Sequence, residues 1–199
     1  MISGTRLLLI GPPGAGKGTQ AVILASTYKI PAISTGDIFR SNVANETELG
    51  LQVKAIMAAG EYVPDSLTNA VVESRLSESD AKAGFLLDGY PRTTDQVHEL
   101  DRMLTAHGTA LSVVVLITAD TDEVVSRLLN RAGVEGRADD TETVIRHRLA
   151  LYEEQTAPLI ALYAARNWVV TVDGLGAVDD VTSRIVSALA TKGIAAPAA

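Results

Sequence analysis

The chain has 199 residues, no cysteine and a formal net charge of −7. Its length suits one domain with a full core, and an apolar content of 47% argues against disorder. Without cysteine there are no disulfides, thiolate metal sites or cysteine nucleophiles, as fits a reducing cytoplasm, and the acidic balance disfavours nonspecific binding to nucleic acid or anionic membrane.

No apolar run approaches the ~20 residues of a membrane span. The only early run, Leu7-Leu8-Leu9-Ile10, is too short for a secretion signal. A cytoplasmic location is therefore expected.

Arg6–Ile10 reads as a strand. It leads into Gly11-Pro12-Pro13-Gly14-Ala15-Gly16-Lys17-Gly18-Thr19. A loop with few β-carbons lets backbone N–H groups point inward at phosphate oxygens, and Lys17 adds a mobile positive charge. A helix from about Gly16 to Tyr28 aims its positive dipole end at the same place. The usual phosphate loop has Ser or Thr directly after the lysine, whereas here Gly18 intervenes before Thr19. Magnesium is then held mainly by phosphates, water and a carboxylate elsewhere.

Residues 31–33 form a short second strand, and Ser34-Thr35-Gly36-Asp37 offers N-caps for a helix through Arg40. Helices follow over about 50–59 and 67–77. Phe85-Leu86-Leu87 is the third strand and ends in Asp88. A carboxylate there lies at the ligand-binding edge of a parallel sheet; Asp88-Gly89 reads either as a magnesium support or as a plain turn. Gly89-Tyr90-Pro91-Arg92 then mounts a guanidinium on a stiff turn, as suits a phosphate clamp.

Residues 93–106 read as a helix closed by Gly108, 111–117 as a buried strand and 121–131 as a helix. A polar loop is expected over 133–140. Thr141 caps the next helix, in which Pro158 forces a break or bend. A last strand over 168–172 and a last helix over 178–191 precede a frayed alanine-rich tail. Five strands alternating with helices imply α/β architecture with a parallel sheet covered on both faces.

Arg127, Arg131, Arg137, Arg146 and Arg148 crowd one stretch of an otherwise acidic chain. Such a cluster suits a compact polyanion, although Arg146, among acidic neighbours, reads equally well as helix surface. His98, His107 and His147 show neither metal spacing nor an obvious Ser or Asp partner, so all three are placed at the surface. If the acceptor is itself a phosphate, its attacking oxygen is already ionised and no base is required.

Taken together, Gly11–Thr19, Ser34–Asp37 with Arg40, Val63-Pro64-Asp65, Leu87–Thr93 with Gln96, and Arg137–Asp140 followed by Arg148 resemble the adenylate kinases, a family of P-loop nucleoside monophosphate kinases. The likeness spans residues 5 to about 185. It implies a three-layer P-loop kinase core with a five-stranded parallel sheet, an AMP-binding helical arm and a short lid loop. The whole of 1–199 is then one domain, with inserts at 34–63 and 131–141. It also implies ATP + AMP ⇌ 2 ADP with magnesium, in a monomer that binds neither nucleic acid nor membrane.

By position, the resemblance gives Gly14, Ala15, Gly16, Lys17, Gly18 and Thr19 to the ATP phosphates, and Arg131 and Gly176 to the donor adenine. It gives Thr35, Arg40, Glu61, Tyr62, Val63, Gly89, Tyr90, Pro91, Arg92 and Gln96 to AMP. Arg127, Arg137 and Arg148 close around the phosphates, and Asp88 orients water on magnesium. The long lid of some relatives, which can carry a four-cysteine zinc, is missing, so no zinc is expected. Gly133 and Gly136 are expected to give the short lid flexibility. Glu61 stands where many relatives have lysine. Thr35 favours AMP over UMP or CMP, because the pyrimidine enzymes tend to carry alanine there. Retention of Arg40, Arg92, Gln96, Arg137 and Arg148 argues against a nucleotide switch without turnover.

Overall fold

Strand β1, Arg6–Ile10, is buried at every position, and its side chains divide between two cores. Leu8 and Ile10 enter an apolar cluster on one face of the sheet, and Leu7 and Leu9 enter another on the opposite face. This is the two-residue alternation of a strand covered on both sides. The computed structural model of the protein describes residues 4–197 except 136 and 138.

Around β1 the strands β2 (Ala32–Ser34), β3 (Phe85–Asp88), β4 (Val113–Thr118) and β5 (Val169–Asp173) form one parallel sheet in the order β2-β3-β1-β4-β5. β1 pairs with β3 and β4 on its two sides, so the loop that follows Ile10 emerges at the point where strand order reverses. Ligands of open α/β sheets bind at that crevice.

Helices α1 (Lys17–Tyr28) and α9 (Val178–Thr191) cover one face with Ala21, Leu24, Tyr28, Val181, Ile185 and Leu189. The other face packs α4 (Asp65–Leu76), α5 (Thr94–Ala106) and α8 (Leu159–Ala165) through Val72, Leu76, Val97, Leu100, Leu159 and Tyr163. Between β2 and β3, helices α2 (Thr35–Ala44) and α3 (Glu48–Ala58) share a smaller cluster of Phe39, Val53 and Val63. The N-caps follow from side-chain chemistry: Ser34, Thr47 and Thr93 each accept from a backbone N–H one turn on.

Two departures from the sequence reading lie after β4. Helix α6 runs from Thr121 to Glu135, past the expected stop at 131, so the polar loop does not begin at Gly133. Glycine costs a helix only about 1 kcal/mol relative to alanine, and no breaker follows it before Glu135. Gly136, the second expected flexible point, lies outside the described residues. Helix α7 (Glu142–Leu151) starts at the Thr141 cap as expected. It then widens into a π turn, Tyr152–Thr156, before Pro158 caps α8. The remaining strand and helix boundaries differ from expectation by a few residues, the usual uncertainty at element ends. Residues 195–197 carry no regular structure.

Leu8, fully buried at the centre of the sheet, tests the core assignment. Leu8→Ala should lower stability by about 2–5 kcal/mol in urea unfolding followed by circular dichroism. A loss well under 1 kcal/mol would place Leu8 outside the load of the core.

Candidate active site

The loop after β1 is shaped by glycines where other residues cannot stand. Gly14 has φ +84°, and a Cβ there would lie 2.9 Å from Leu128 Cγ of α6. Gly16, at φ +89°, is the N-cap of α1 and hands the chain from loop to helix. A left-handed conformation is strained for residues with a β-carbon. The loop therefore keeps its backbone open toward the start of α1, where free N–H groups and the helix dipole favour anions.

A cleft of about 590 Å³ lies over this loop. It is lined by Gly14–Thr19, Asp37, Arg40, Asp88, Gly89, Arg92, Arg127, Arg131, Glu135, Arg137, Arg148 and Gly176, among others. Seven of the lining side chains are cationic and three are carboxylates, so an acidic protein presents a basic cavity. A smaller cavity of about 60 Å³ adjoins it, lined by Thr35, Arg40, Glu61, Tyr62, Val63, Gly89, Arg92, Gln96 and Arg148. A third, of about 80 Å³, joins Lys17, Tyr62, Pro91, Arg92, Arg148 and Thr156. Gly89, Arg92 and Arg148 line all three.

The sequence-assigned residues thus gather on one crevice in two groups that meet at Arg92 and Arg148. Tyr90 stands apart. Its ring is fully buried in the core, and its hydroxyl donates to Asn69 Oδ1 at 2.8 Å, so only its backbone is available to a ligand. Arg146 also stands apart, paired with Glu142 on the exposed face of α7. His98 and His107 are exposed as expected. His147, half-buried, faces Glu61 across 2.8 Å.

Lys17 is half-buried by area, but its ammonium turns inward and donates to the carbonyls of Gly11 and Pro12 at 2.7 and 2.8 Å. Burial lowers its pKa to about 8; Asp88 opposes this, and Arg92, Arg148 and Arg131 add to it. The group is short of negative charge.

The arginines are each held on a backbone carbonyl or carboxylate. Arg92 Nε donates to Gly89 O at 2.8 Å, and its guanidinium lies 4.8 Å from the centre of the Tyr62 ring. Arg127 spans Glu123 and Gly174 O. Arg137 donates to Glu135 at 2.6 Å and Arg40 to Asp37 at 2.5 Å. Arg131 grips Asp140 with two bonds of 2.6 and 2.7 Å, and Arg148 bridges Asp139 and Asp140 at 2.7 and 2.9 Å. The Asp140 side chain is wholly buried. Burial alone would raise its pKa, but the hydrogen bonds and charge of Arg131, with Arg148 and Arg137 behind, hold it below the usual carboxylate range.

Sequence reasoning gave no role to Asp140, Asp139, Thr156 or Asp65. The Arg137–Asp140 motif contained a signal for the first two, since carboxylates among arginines must share hydrogen bonds. Thr156 Oγ1 donates to the Arg92 carbonyl at 2.9 Å and takes a bond from Tyr62 Oη at 3.0 Å. Nothing local in the sequence announces that contact, which joins positions 64 residues apart.

Asp88 ends β3 inside the cleft. Its Oδ2 lies 3.9 Å from where a Gly18 Cβ would stand, so glycine at 18 leaves the space before the carboxylate open. Among the described residues no cluster of three His, Cys, Asp or Glu could hold a metal by itself. One unshared carboxylate beside a phosphate cradle fits a hard cation carried by phosphate oxygens rather than a protein cage.

The chain is similar to known proteins along most of its length. The family described as adenylate kinase matches residues 9–168. The adenylate kinase of Kocuria rhizophila is 60% identical over 185 residues, covering 93% of this chain and 98% of that protein. The adenylate kinase of a Nocardioides species is 62% identical over 184 residues, 92% of this chain and 96% of its own. That of Leifsonia xyli subsp. xyli is 58% identical over 188 residues, 94% of each chain.

With a pKa of about 8, Lys17 is half-protonated near that pH when the cleft is free. Anionic phosphate oxygens raise the pKa and make it fully protonated. At pH 8, nucleoside triphosphate binding to the parent protein should therefore take up about half a proton more than binding to Lys17→Met. Titration calorimetry in buffers of different ionisation enthalpy reads this directly. Equal uptake by the two proteins would remove Lys17 from the phosphate contact.

Proposed function

The chain belongs to the adenylate kinase family and catalyses reversible phosphoryl transfer, ATP + AMP ⇌ 2 ADP; on that premise we propose how its residues divide the work. Gly14, Ala15, Gly16, Lys17, Gly18 and Thr19 hold the ATP phosphates, with Arg131 and Gly176 beside the donor base. Thr35, Arg40, Glu61, Tyr62, Val63, Gly89, the backbone of Tyr90 and Pro91, and Gln96 form the AMP site. Arg92, Arg127, Arg137 and Arg148 collect the charge between the two nucleotides. The carrying observation is that Arg92 and Arg148 line both the cleft over the loop and the smaller cavity next to it.

In the forward direction a phosphate oxygen of AMP attacks the γ-phosphorus of ATP. A new P–O bond forms as the bond to the β-phosphate oxygen breaks, and that oxygen leaves on ADP. The AMP phosphate is largely dianionic at pH 7, so no side chain has to remove a proton. None of the three cavities is lined by histidine. The obstacle is repulsion between two polyanions, and guanidiniums in a closed, poorly hydrated cleft oppose it. An arginine placed on the transferring group is worth ~10³–10⁵ in rate, or roughly 4–7 kcal/mol of barrier.

Adenylate kinases act on the magnesium complex of ATP. Asp88 would hold that magnesium through water, and the ion would supply positive charge against the phosphates. The chain has no cysteine, so a four-cysteine zinc site has no ligands here. Residues 34–63 act as the AMP-binding arm and 131–141 as the short lid. We further propose a cytoplasmic monomer that binds neither nucleic acid nor membrane. The net charge of −7 supports this reading, and among the described residues no helix is long and apolar enough to cross a membrane.

Arg92→Ala should lower kcat by about 10²–10³ and raise the KM for AMP, with the urea midpoint near that of the parent. A loss of stability with intact kcat would make Arg92 structural. In a panel of AMP, UMP and CMP with ATP and magnesium, ADP formation should be fastest with AMP. A pyrimidine optimum, or equal ATP loss without any acceptor, would overturn the assignment of the smaller cavity.

A further inference from the structure

Gln96 is 1% exposed, yet it lines the smaller cavity. Both ends of its side-chain amide are engaged by the protein. Oε1 accepts from the backbone N–H of Arg92 at 2.7 Å, and Nε2 donates to Asp65 Oδ1 at 2.6 Å. The two contacts agree on one orientation of the amide. Reversed, it would bring oxygen against a carboxylate and an N–H group against another N–H. A carboxylate is acceptor-only when ionised, so it accepts the amide's nitrogen end and repels its oxygen end.

Asp65 is itself held. Its Oδ2 accepts from Thr93 Oγ1 at 2.8 Å. The Thr93 hydroxyl oxygen meanwhile accepts from the backbone N–H of Gln96 at 3.2 Å, as the cap of α5. The start of α4 and the start of α5 are thereby tied around one amide.

One N–H and one oxygen lone pair of Gln96 remain for a ligand. Adenine offers an acceptor at N1 and a donor at its 6-amino group, which meets that pair. Hypoxanthine, of nearly the same shape, offers a donor at N1 and an acceptor at O6. A freely turning amide would serve both bases; a locked one serves only the first. We propose that Asp65 is a specificity-determining positioning residue, which fixes the Gln96 amide so that the acceptor site takes 6-amino and rejects 6-oxo purine monophosphates. This rests on the reading of the smaller cavity as the AMP site.

The test compares kcat/KM for AMP with that for inosine monophosphate, using ATP as donor, in the parent, Asp65→Ala, Gln96→Ala and the double variant. General damage to the fold lowers both rates together and leaves their ratio unmoved. The ratio should fall about tenfold or more in each single variant, since a mispaired polar edge carries most of such discrimination. Asp65→Ala should add nothing on the Gln96→Ala background, because the two act as one unit. If Asp65→Ala does not fold, Asp65→Ser replaces it, with a side chain too short to reach Nε2. An unchanged ratio in the Asp65 variant beside a fallen one in Gln96→Ala overturns the lock alone. A further fall in the double variant also overturns it. An unchanged ratio in Gln96→Ala overturns the base contact as well, and with it this part of the AMP site.

Discussion

Like charges confined to one cleft repel, and the arrangement of this site answers that repulsion. Burial lowers the Lys17 pKa, and the nearby charges of Arg92, Arg148 and Arg131 add to that fall. Backbone carbonyls hold Lys17 and Arg92 in place, and carboxylates stand behind Arg131 and Arg148. Asp140 is the central one, buried and shared by Arg131 and Arg148. A buried carboxylate with a single partner would be poorly compensated; with two guanidiniums it acts as an anchor for both. The same two guanidiniums also line the cleft over the glycine loop.

The sheet makes this crowding possible. Parallel strands end at the same edge, so β1, β2 and β3 deliver the glycine loop, Ser34-Thr35 and Asp88-Gly89 to one line without long connections. Thr35 Oγ1 donating to Gly89 O at 2.9 Å joins two of those ends directly. Arg127, Arg131, Arg137 and Arg148 come from α6, α7 and the segment between them, whereas Arg92 stands on the turn after β3 and Arg40 on α2. The cleft is thus lined by a sheet edge and a helical pair, which meet through the packing of Gly14 against Leu128 and the bond of Arg127 to the Gly174 carbonyl.

Much of this was legible in the chain itself. The apolar run before the glycines marks β1 because four buried residues in a row suit a strand covered on both faces. Asp88 at the end of a similar run marks the sheet edge, and the arginine density between 127 and 148 marks residues of which four line the cleft. Local patterns carried those features, and local patterns fail for the rest. The run of α6 through Gly133 was not legible, because glycine signals a break only when something else agrees with it. The bond between Asp65 and Gln96 was not legible either, since they are 31 positions apart and meet only when α4 and α5 pack. Tyr90 reads as a ligand contact because it sits inside a motif assigned to the site; its ring instead joins the core cluster of Phe85 and Leu87, where strict alternation would have put it on the side of Leu86, because the chain turns at Gly89, φ +79°.

Thr156 carries a consequence of another kind. In a regular helix a threonine hydroxyl returns to a carbonyl of its own preceding turn. Here the π turn of 152–156 sends it across the crevice to the Arg92 carbonyl. Each residue added to or removed from a helix rotates everything beyond it by about 100°. Between Thr141 and Pro158 the chain is therefore constrained in length more tightly than in composition. Exposed side chains on that stretch are free to drift over evolutionary time, whereas a single-residue insertion or deletion swings Thr156 away and frees the turn that carries Arg92. Lineages descending from this protein are expected to keep the spacing between those two landmarks even where the residues between them have been replaced.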